Sequence, residues 1–123
     1  MKYVILVLSN PHFAERWAAL SEQQREEFGR GHVDLTDELT ASGELVASEG
    51  LADPVLAKRV DTSGSTPVVS DGPFAEAKEH LAGFYLVDCE SERRALDIAA
   101  RVPDAWWGLV EVRPVLDRSD GDP

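Results

Sequence analysis

Two residue types in this sequence could together transfer a proton, a histidine and an aspartate. His32 lies within a long helical segment, and Asp71 begins an Asp-Gly-Pro turn shortly before a strand. An imidazole takes up and releases protons near neutral pH, and an adjacent carboxylate fixes its tautomer and orientation. We therefore predict that His32 acts as a general acid/base and that Asp71 orients it. Such a pair suits a cofactor-free isomerisation, dehydration or lyase-type elimination on an organic metabolite.

Each member of this pair also has a structural interpretation. Helical spacing of about 100° per residue puts His32 on an apolar face, where it could be a hydrogen-bonded core histidine. That face comprises Phe28, His32, Leu35 and Leu39. An aspartate before Gly-Pro often closes its own turn through its side chain. The sequence alone leaves both alternatives open.

Further residues near this turn are candidate substrate contacts. Lys78 could hold an anionic substrate group, or it could pair with a neighbouring glutamate on the surface. Phe74 and Glu76 lie in the same segment, and Glu49 ends a predicted strand from which it could reach the same cleft. We predict substrate-binding roles for all of them.

The sequence contains no pattern typical of a metal or phosphate site. No spacing of His, Cys, Asp and Glu resembles a zinc or two-metal centre. No Gly-rich loop follows a strand, and no Gly-x-Ser-x-Gly elbow is present. We therefore expect neither a bound metal nor a cofactor.

The predicted long helix, which must position His32, has clear ends. Ser21 and Gln24 form a capping box at its start, and Gly43 ends it. Glycine weakens a helix interior by about 1 kcal/mol relative to alanine, so we expect a kink or a break near Gly29 and Gly31.

The remaining segments predict an α+β domain. Strands are expected at residues 2–8, 44–49, 81–88 and 109–115, a hairpin at 55–60 and 66–70, and a second helix after Ser91. This order matches a ferredoxin-like β-α-β-β-α-β sheet with an inserted β-hairpin. We expect a single domain over residues 1–115 and an acidic flexible tail over residues 116–123.

The first strand and a pair of tryptophans predict partner contacts. From Lys2 to Leu8 both strand faces are apolar, and such a strand is covered on both sides. Helices can cover one face, and a second copy of the chain would cover the other, which predicts a homodimer built as a dimeric α/β barrel. Trp106 and Trp107 cannot both point inward in an extended segment, so one should pack inside and the other should meet a partner or line a pocket.

The net charge, the hydropathy and the cysteine content indicate which other partners and which cellular compartment to expect. Twelve basic against 23 acidic residues give a net charge of −11, which repels phosphate backbones and anionic lipid headgroups. No window approaches the ~18 apolar residues that a membrane span needs. The single cysteine, Cys89, cannot form an internal disulfide. We expect a cytoplasmic protein that binds neither nucleic acid nor a membrane.

The segment from Asp71 to Glu79, Asp-Gly-Pro-Phe-Ala-Glu-Ala-Lys-Glu, closely resembles the DGPF motif of the YCII-related proteins. The resemblance extends to residues 42–46, 83–88 and 110–114. It implies a ferredoxin-like dimer with a cleft in which a histidine, matched here by His32, meets an aspartate, matched by Asp71. The alternative to an enzyme is a non-catalytic module that binds a small ligand or a protein and is linked to transcription regulation.

Overall fold

The computed structural model describes residues 1–73 and 78–117. Along them run three α-helices, two 3-10 helices and six strands. The elements are β1 (Lys2–Ser9), α1 (Pro11–Ala19), α2 (Glu22–Ser42), β2 (Leu45–Gly50), a 3-10 helix (Pro54–Leu56), β3 (Lys58–Asp61), β4 (Val68–Asp71), β5 (His80–Asp88), α3 (Glu92–Ala99), a 3-10 helix (Pro103–Trp107) and β6 (Val110–Pro114).

Four of the strands form one antiparallel sheet, and the other two form a separate hairpin. The sheet has the order β2-β5-β1-β6, so that β5 and β1 are its central strands. Within the part of the chain that the structure describes, strands β3 and β4 pair only with each other. The α+β class predicted from the sequence is confirmed. The segment predicted as a loop holding a short helix forms α1, and both hairpin strands are shorter than expected.

The core lies between one face of this sheet and helices α2 and α3. Alternate residues of the central strands are buried there, because successive side chains on a strand point to opposite faces. The core side chains include Tyr3, Ile5, Val7, Tyr85 and Val87 from the sheet, Leu35 and Leu39 from α2, and Ala95 and Ile98 from α3. Fully burying one large aliphatic side chain of this kind contributes about 1.5–3 kcal/mol.

Helix α2 begins and ends where its sequence predicts. The Ser21 hydroxyl accepts from the Gln24 amide at 3.1 Å, and the Gln24 side chain accepts from the Ser21 amide at 2.8 Å. Gly43 ends the helix with φ of 80°. The expected break near Gly29 and Gly31 is wrong, because α2 is continuous over 21 residues. Core packing of its apolar face outweighs a propensity penalty of about 1 kcal/mol for each glycine.

No helix within the described ranges combines the length and the apolar character that crossing a membrane would require.

Candidate active site

His32 lies on the face of α2 that turns toward the sheet. Leu35 and Leu39 on the same face are buried, and the Phe28 ring meets the imidazole edge-on with 5.2 Å between ring centroids. The predicted apolar stripe is therefore confirmed. The His32 side chain keeps 28% of its surface exposed, so it is not sealed in the core.

Both ring nitrogens of His32 have protein partners. Nε2 lies 2.7 Å from Oδ1 of Asp104, and Nδ1 contacts the hydroxyl of Tyr85. An ionised carboxylate can only accept a hydrogen bond, so Nε2 carries a hydrogen atom and donates a hydrogen bond to Asp104. In the neutral imidazole Nδ1 then accepts from the Tyr85 hydroxyl. The two rings are nearly parallel, with 4° between their planes. His32 is therefore held in one tautomer and one orientation.

The carboxylate of Asp104 is buried, with 7% of its side chain exposed. It comes from the 3-10 helix that begins at Pro103. A Cβ atom at Gly31 would lie only 2.8 Å from Cγ of Pro103, so the glycine allows α2 and this 3-10 helix to approach closely. This approach brings Asp104 to His32, and the hydrogen bond offsets the free-energy cost of burying a charge.

Tyr85 supplies a hydroxyl group that stays protonated. Burial raises the pKa of its phenol above the ordinary 10.0, and the negative charge of Asp104 also raises it. A hydrogen bond with Thr36 lowers this pKa, but the net shift is upward. At neutral pH the phenol is therefore a hydrogen-bond donor. Its place on β5 directs the ring into the helix-covered side of the sheet, where only 4% of the residue is exposed.

A cavity of about 700 Å³ opens beside His32. Aromatic side chains form much of its wall: Phe13 and Trp17 from α1, Phe28 from α2, and Tyr85 from β5. They also pack on one another, since Trp17 and Phe28 meet edge-on at 5.2 Å between centroids. Polar groups at the wall include Ser9, Thr36 and Ser48. The size and the mixed lining suit a small organic molecule.

The structure does not bring Asp71 to His32. Asp71 ends β4 in the separate hairpin, its side chain is 85% exposed, and it pairs with Lys58. The carboxylate that contacts His32 is Asp104 instead, because the hairpin forms its own sheet and does not extend the one that faces α2.

The other predicted contacts divide into three cases. Glu49 lies in β2 at the edge of the cavity, but it pairs with Phe84, so its side chain points to the sheet face opposite His32. Lys78 is exposed just before β5 and does not line the cavity. Phe74 and Glu76 lie outside the residues that the structure describes.

Sequence reasoning missed the residues that complete the site. Tyr85 looked like one more core residue of a strand, and Asp104 carries no local pattern beyond the proline before it. The extended segment expected at Trp106 and Trp107 is a 3-10 helix, so the argument about opposite directions does not apply. Trp107 packs edge-on against Phe13 at 5.1 Å, whereas Trp106 is 86% exposed.

Across residues 1–73 and 78–117, no three His, Cys, Asp or Glu side chains are grouped as metal ligands.

The fold and the site define a class: a small α+β domain with a histidine–carboxylate pair at an aromatic cavity between sheet and helices. The YCII-related domain matches residues 1–119, and the chain belongs to this family. The resemblance of the DGPF segment had predicted that membership, which is now confirmed.

Two similar proteins extend the comparison. An uncharacterised protein of Rhizobium meliloti (strain 1021) is 33% identical over 124 residues, which cover 99% of this chain and 98% of that protein. The 5-chloro-2-hydroxyhydroquinone dehydrochlorinase TftG of Burkholderia phenoliruptrix AC1100, solved with 2,5-dihydroxybenzoquinone, has a similar structure with a TM-score of 0.52. It is 15% identical, and the match covers 99% of this chain and 100% of TftG. At this identity the likeness shows the fold alone.

Proposed function

We propose that this protein is a small enzyme that transfers protons on an organic metabolite, in an isomerase, dehydratase or lyase type of reaction. His32 is the general acid/base, and Asp104 takes the orienting role first predicted for Asp71. The observation that carries the proposal is the placement of His32 between Asp104 and Tyr85 at the wall of a 700 Å³ cavity. Proton abstraction next to a carbonyl needs a positioned base and a stabilised oxyanion, which requires no cofactor.

The hydrogen bonds define a role for each group. Because Asp104 keeps Nε2 protonated, Nδ1 is the basic nitrogen. A substrate that displaces the Tyr85 hydroxyl from Nδ1 gives its proton to that nitrogen, and the bonding electrons remain on the substrate. The Tyr85 hydroxyl is then free to donate to the oxygen on which negative charge develops. Asp104 stabilises the imidazolium that results.

The aromatic wall favours a planar or conjugated substrate. Ring-on-ring contacts contribute about 0.5–1.5 kcal/mol beyond the burial of area. TftG, which shares the fold, acts on a hydroxylated aromatic ring according to its name and was solved with a quinone. This precedent supports a ring-bearing metabolite as the substrate here.

A paired substitution tests the assignment. Full-length protein is screened by absorbance and mass spectrometry against ring-hydroxylated compounds and quinones, beginning with 2,5-dihydroxybenzoquinone as a binding probe. For any compound that turns over, we expect Asp104→Asn to lower kcat by about 10²–10⁴-fold, the range typical of general acid/base groups. The matched control Asp71→Asn should retain the wild-type rate. Loss of activity in Asp71→Asn with full activity in Asp104→Asn would overturn the assignment.

A second candidate function is a non-catalytic module that binds a ligand in the same cavity. It is favoured by the fact that both ring nitrogens of His32 already have protein partners. Mass spectrometry of the bound ligand distinguishes the two functions. A binding module would release its ligand chemically unchanged, and His32→Gln would alter only the affinity for that ligand.

We also propose that the chain is ferredoxin-like and forms a homodimer, as a dimeric α/β barrel. Val4, Leu6 and Leu8 point to the sheet face opposite the buried Ile5 and are only partly buried. The solvated face of an antiparallel sheet is usually polar, so a face lined by apolar side chains is usually covered. A second copy of the sheet is the simplest cover for it.

A further inference from the structure

Two paired glycines lie on the face of the sheet that turns toward the helices. Gly50 of β2 pairs with Gly83 of β5, and Gly83 pairs in turn with the buried Val7 of β1. Opposite residues of antiparallel strands share a face, so both glycines lie on the face that carries Val7 and Tyr85. Both also line the cavity beside His32. This part of the cavity floor is therefore bare backbone.

Packing between the strands explains the glycine at position 83. A Cβ atom added there would lie 2.8 Å from the backbone oxygen of Glu49 and 3.3 Å from Cα of Gly50. Both are backbone atoms of the neighbouring strand, so they could give way only if β2 moved. Gly83 is therefore needed for the close approach of β2 to β5.

No such constraint applies to Gly50, the last residue of β2. Among the described residues nothing lies within 4 Å of a Cβ atom added at this position, and the glycines with positive φ there are Gly43 and Gly108. Glycine in a strand is less favourable than alanine, because it loses more conformational freedom on folding. A strand glycine often marks a place where a ligand approaches the backbone closely. The open space in front of Gly50 is the cavity, so the glycine makes room for a ligand.

The volume of the cavity indicates how large that ligand is. An apolar cavity of about 150 Å³ is enough to bind benzene. The cavity beside His32 has a volume of about 700 Å³. Gly50 is two residues from Ser48, which pairs with Tyr85, so the bare floor lies about 7 Å along the sheet from the Tyr85 row. A single ring held at His32 would leave the space over Gly50 unfilled.

We propose that the ligand of this cavity is a two-ring aromatic compound, with one ring at His32 and Tyr85 and the second over the backbone of Gly50 and Gly83. The inference rests on the proposed function, because it assumes that the cavity beside His32 is the substrate site. It adds the size of the substrate and the residue that selects it. A side chain at position 50 would occupy the place of the second ring, so Gly50 sets the size of the ligand.

Two probes with the same hydroxyl group test the size. Phenol has one ring and 2-naphthol has two, both are uncharged at neutral pH, and the affinity of each for the full chain is measured by NMR titration. The second ring removes further apolar surface from water, so we expect wild type to bind 2-naphthol about tenfold more tightly than phenol. In Gly50→Leu the two affinities should lie within about twofold of each other, with phenol binding as in wild type. Gly50→Ala should reduce the preference in part.

Matched variants separate this effect from effects on folding. Gly29→Leu makes the same chemical change on α2, in open space and outside the cavity, and should keep the wild-type preference for 2-naphthol. In urea unfolding, Gly50→Ala should be at least as stable as wild type, because alanine loses less conformational freedom. Gly83→Ala should be less stable than wild type, because its Cβ atom meets the backbone of β2.

The outcomes separate this inference from the proposed function. Equal affinity of wild type for both probes, or an unchanged preference in Gly50→Leu, overturns the size inference and leaves the aromatic site standing. An equal loss of preference in Gly50→Leu and Gly29→Leu also overturns it. Failure of both probes to bind refutes the aromatic substrate site itself, and the inference falls with it.

Discussion

The contact between Gly31 and Pro103 makes a quantitative prediction for Gly31→Ala. Alanine is favoured over glycine in a helix interior by up to about 1 kcal/mol. The added Cβ, however, would lie 2.8 Å from Cγ of Pro103, well inside the usual carbon–carbon separation of about 3.5–4.0 Å. Overpacking of this kind typically costs about 1–3 kcal/mol. We therefore expect Gly31→Ala to lower the free energy of unfolding by about 0–2 kcal/mol relative to wild type.

Gly29 provides the matched control, because it lies in the same helix and nothing lies within 4 Å of the Cβ that an alanine would add. Gly29→Ala should raise the free energy of unfolding by about 0.5–1 kcal/mol. The two variants should then differ by about 1–3 kcal/mol in urea unfolding followed by circular dichroism. The two substitutions are chemically identical, so the difference isolates the contact with Pro103.

A substitution at Pro103 tests whether this contact causes the penalty. Pro103→Ala removes Cγ, and Cβ of Pro103 lies at an acceptable 3.9 Å from the atom added at Gly31. In the double variant the penalty of Gly31→Ala should disappear, which a double-mutant cycle would record as a coupling of about 1–3 kcal/mol. Gly31→Ala alone should also weaken binding of any cavity ligand, since a shift of Pro103 moves Asp104 away from His32. A Gly31→Ala variant as stable as Gly29→Ala, or one that Pro103→Ala fails to rescue, would refute the reasoning.

Two further predictions concern acid stability and assembly. Hydrogen bonds from Arg94 and Ser42 lower the pKa of Glu44 from 4.5 to about 2. The stability from this pair is thus complete above pH 4.5 and is lost as the pH falls through about 2. Between pH 5 and pH 2, wild type should lose about 1–2 kcal/mol more than Glu44→Gln in urea unfolding, and equal losses would contradict this. For assembly, Leu6→Glu places a charge on the open sheet face and should convert a dimer into a folded monomer in light scattering. A wild-type chain that is monomeric at micromolar concentration would rule out the dimer.

Local signals in the sequence account for the parts of the fold that were predicted correctly. The capping box at Ser21 and the glycine at position 43 act within one turn of the helix, so both ends of α2 could be located. The apolar period of the same helix gave the inward direction of His32. Interactions of this kind depend on neighbours in the chain, which a single sequence displays directly.

The partners of His32 depend on contacts that a single sequence does not display. Tyr85 is 53 residues away along the chain, and Asp104 is 72 residues away. Asp71 was matched by resemblance to the family's aspartate and lies at a well-defined turn, but within the described residues its hairpin pairs only with itself. The helix break expected at Gly31 was wrong for a related reason, because the role of that glycine is a close contact with Pro103 and not a local change in the backbone.

The two interpretations of His32, a core histidine and an acid/base group, can be compared by what each requires. A histidine that only fills the core needs no ionisable partner, and burying the carboxylate of Asp104 carries a desolvation cost that an apolar residue would avoid. Nor does packing require that 28% of the His32 side chain remain exposed. A group that exchanges protons needs both features, a buried charge to stabilise its cationic form and an open side for the substrate. The combination of Asp104, Tyr85 and the adjoining cavity therefore favours a chemical role over a structural one.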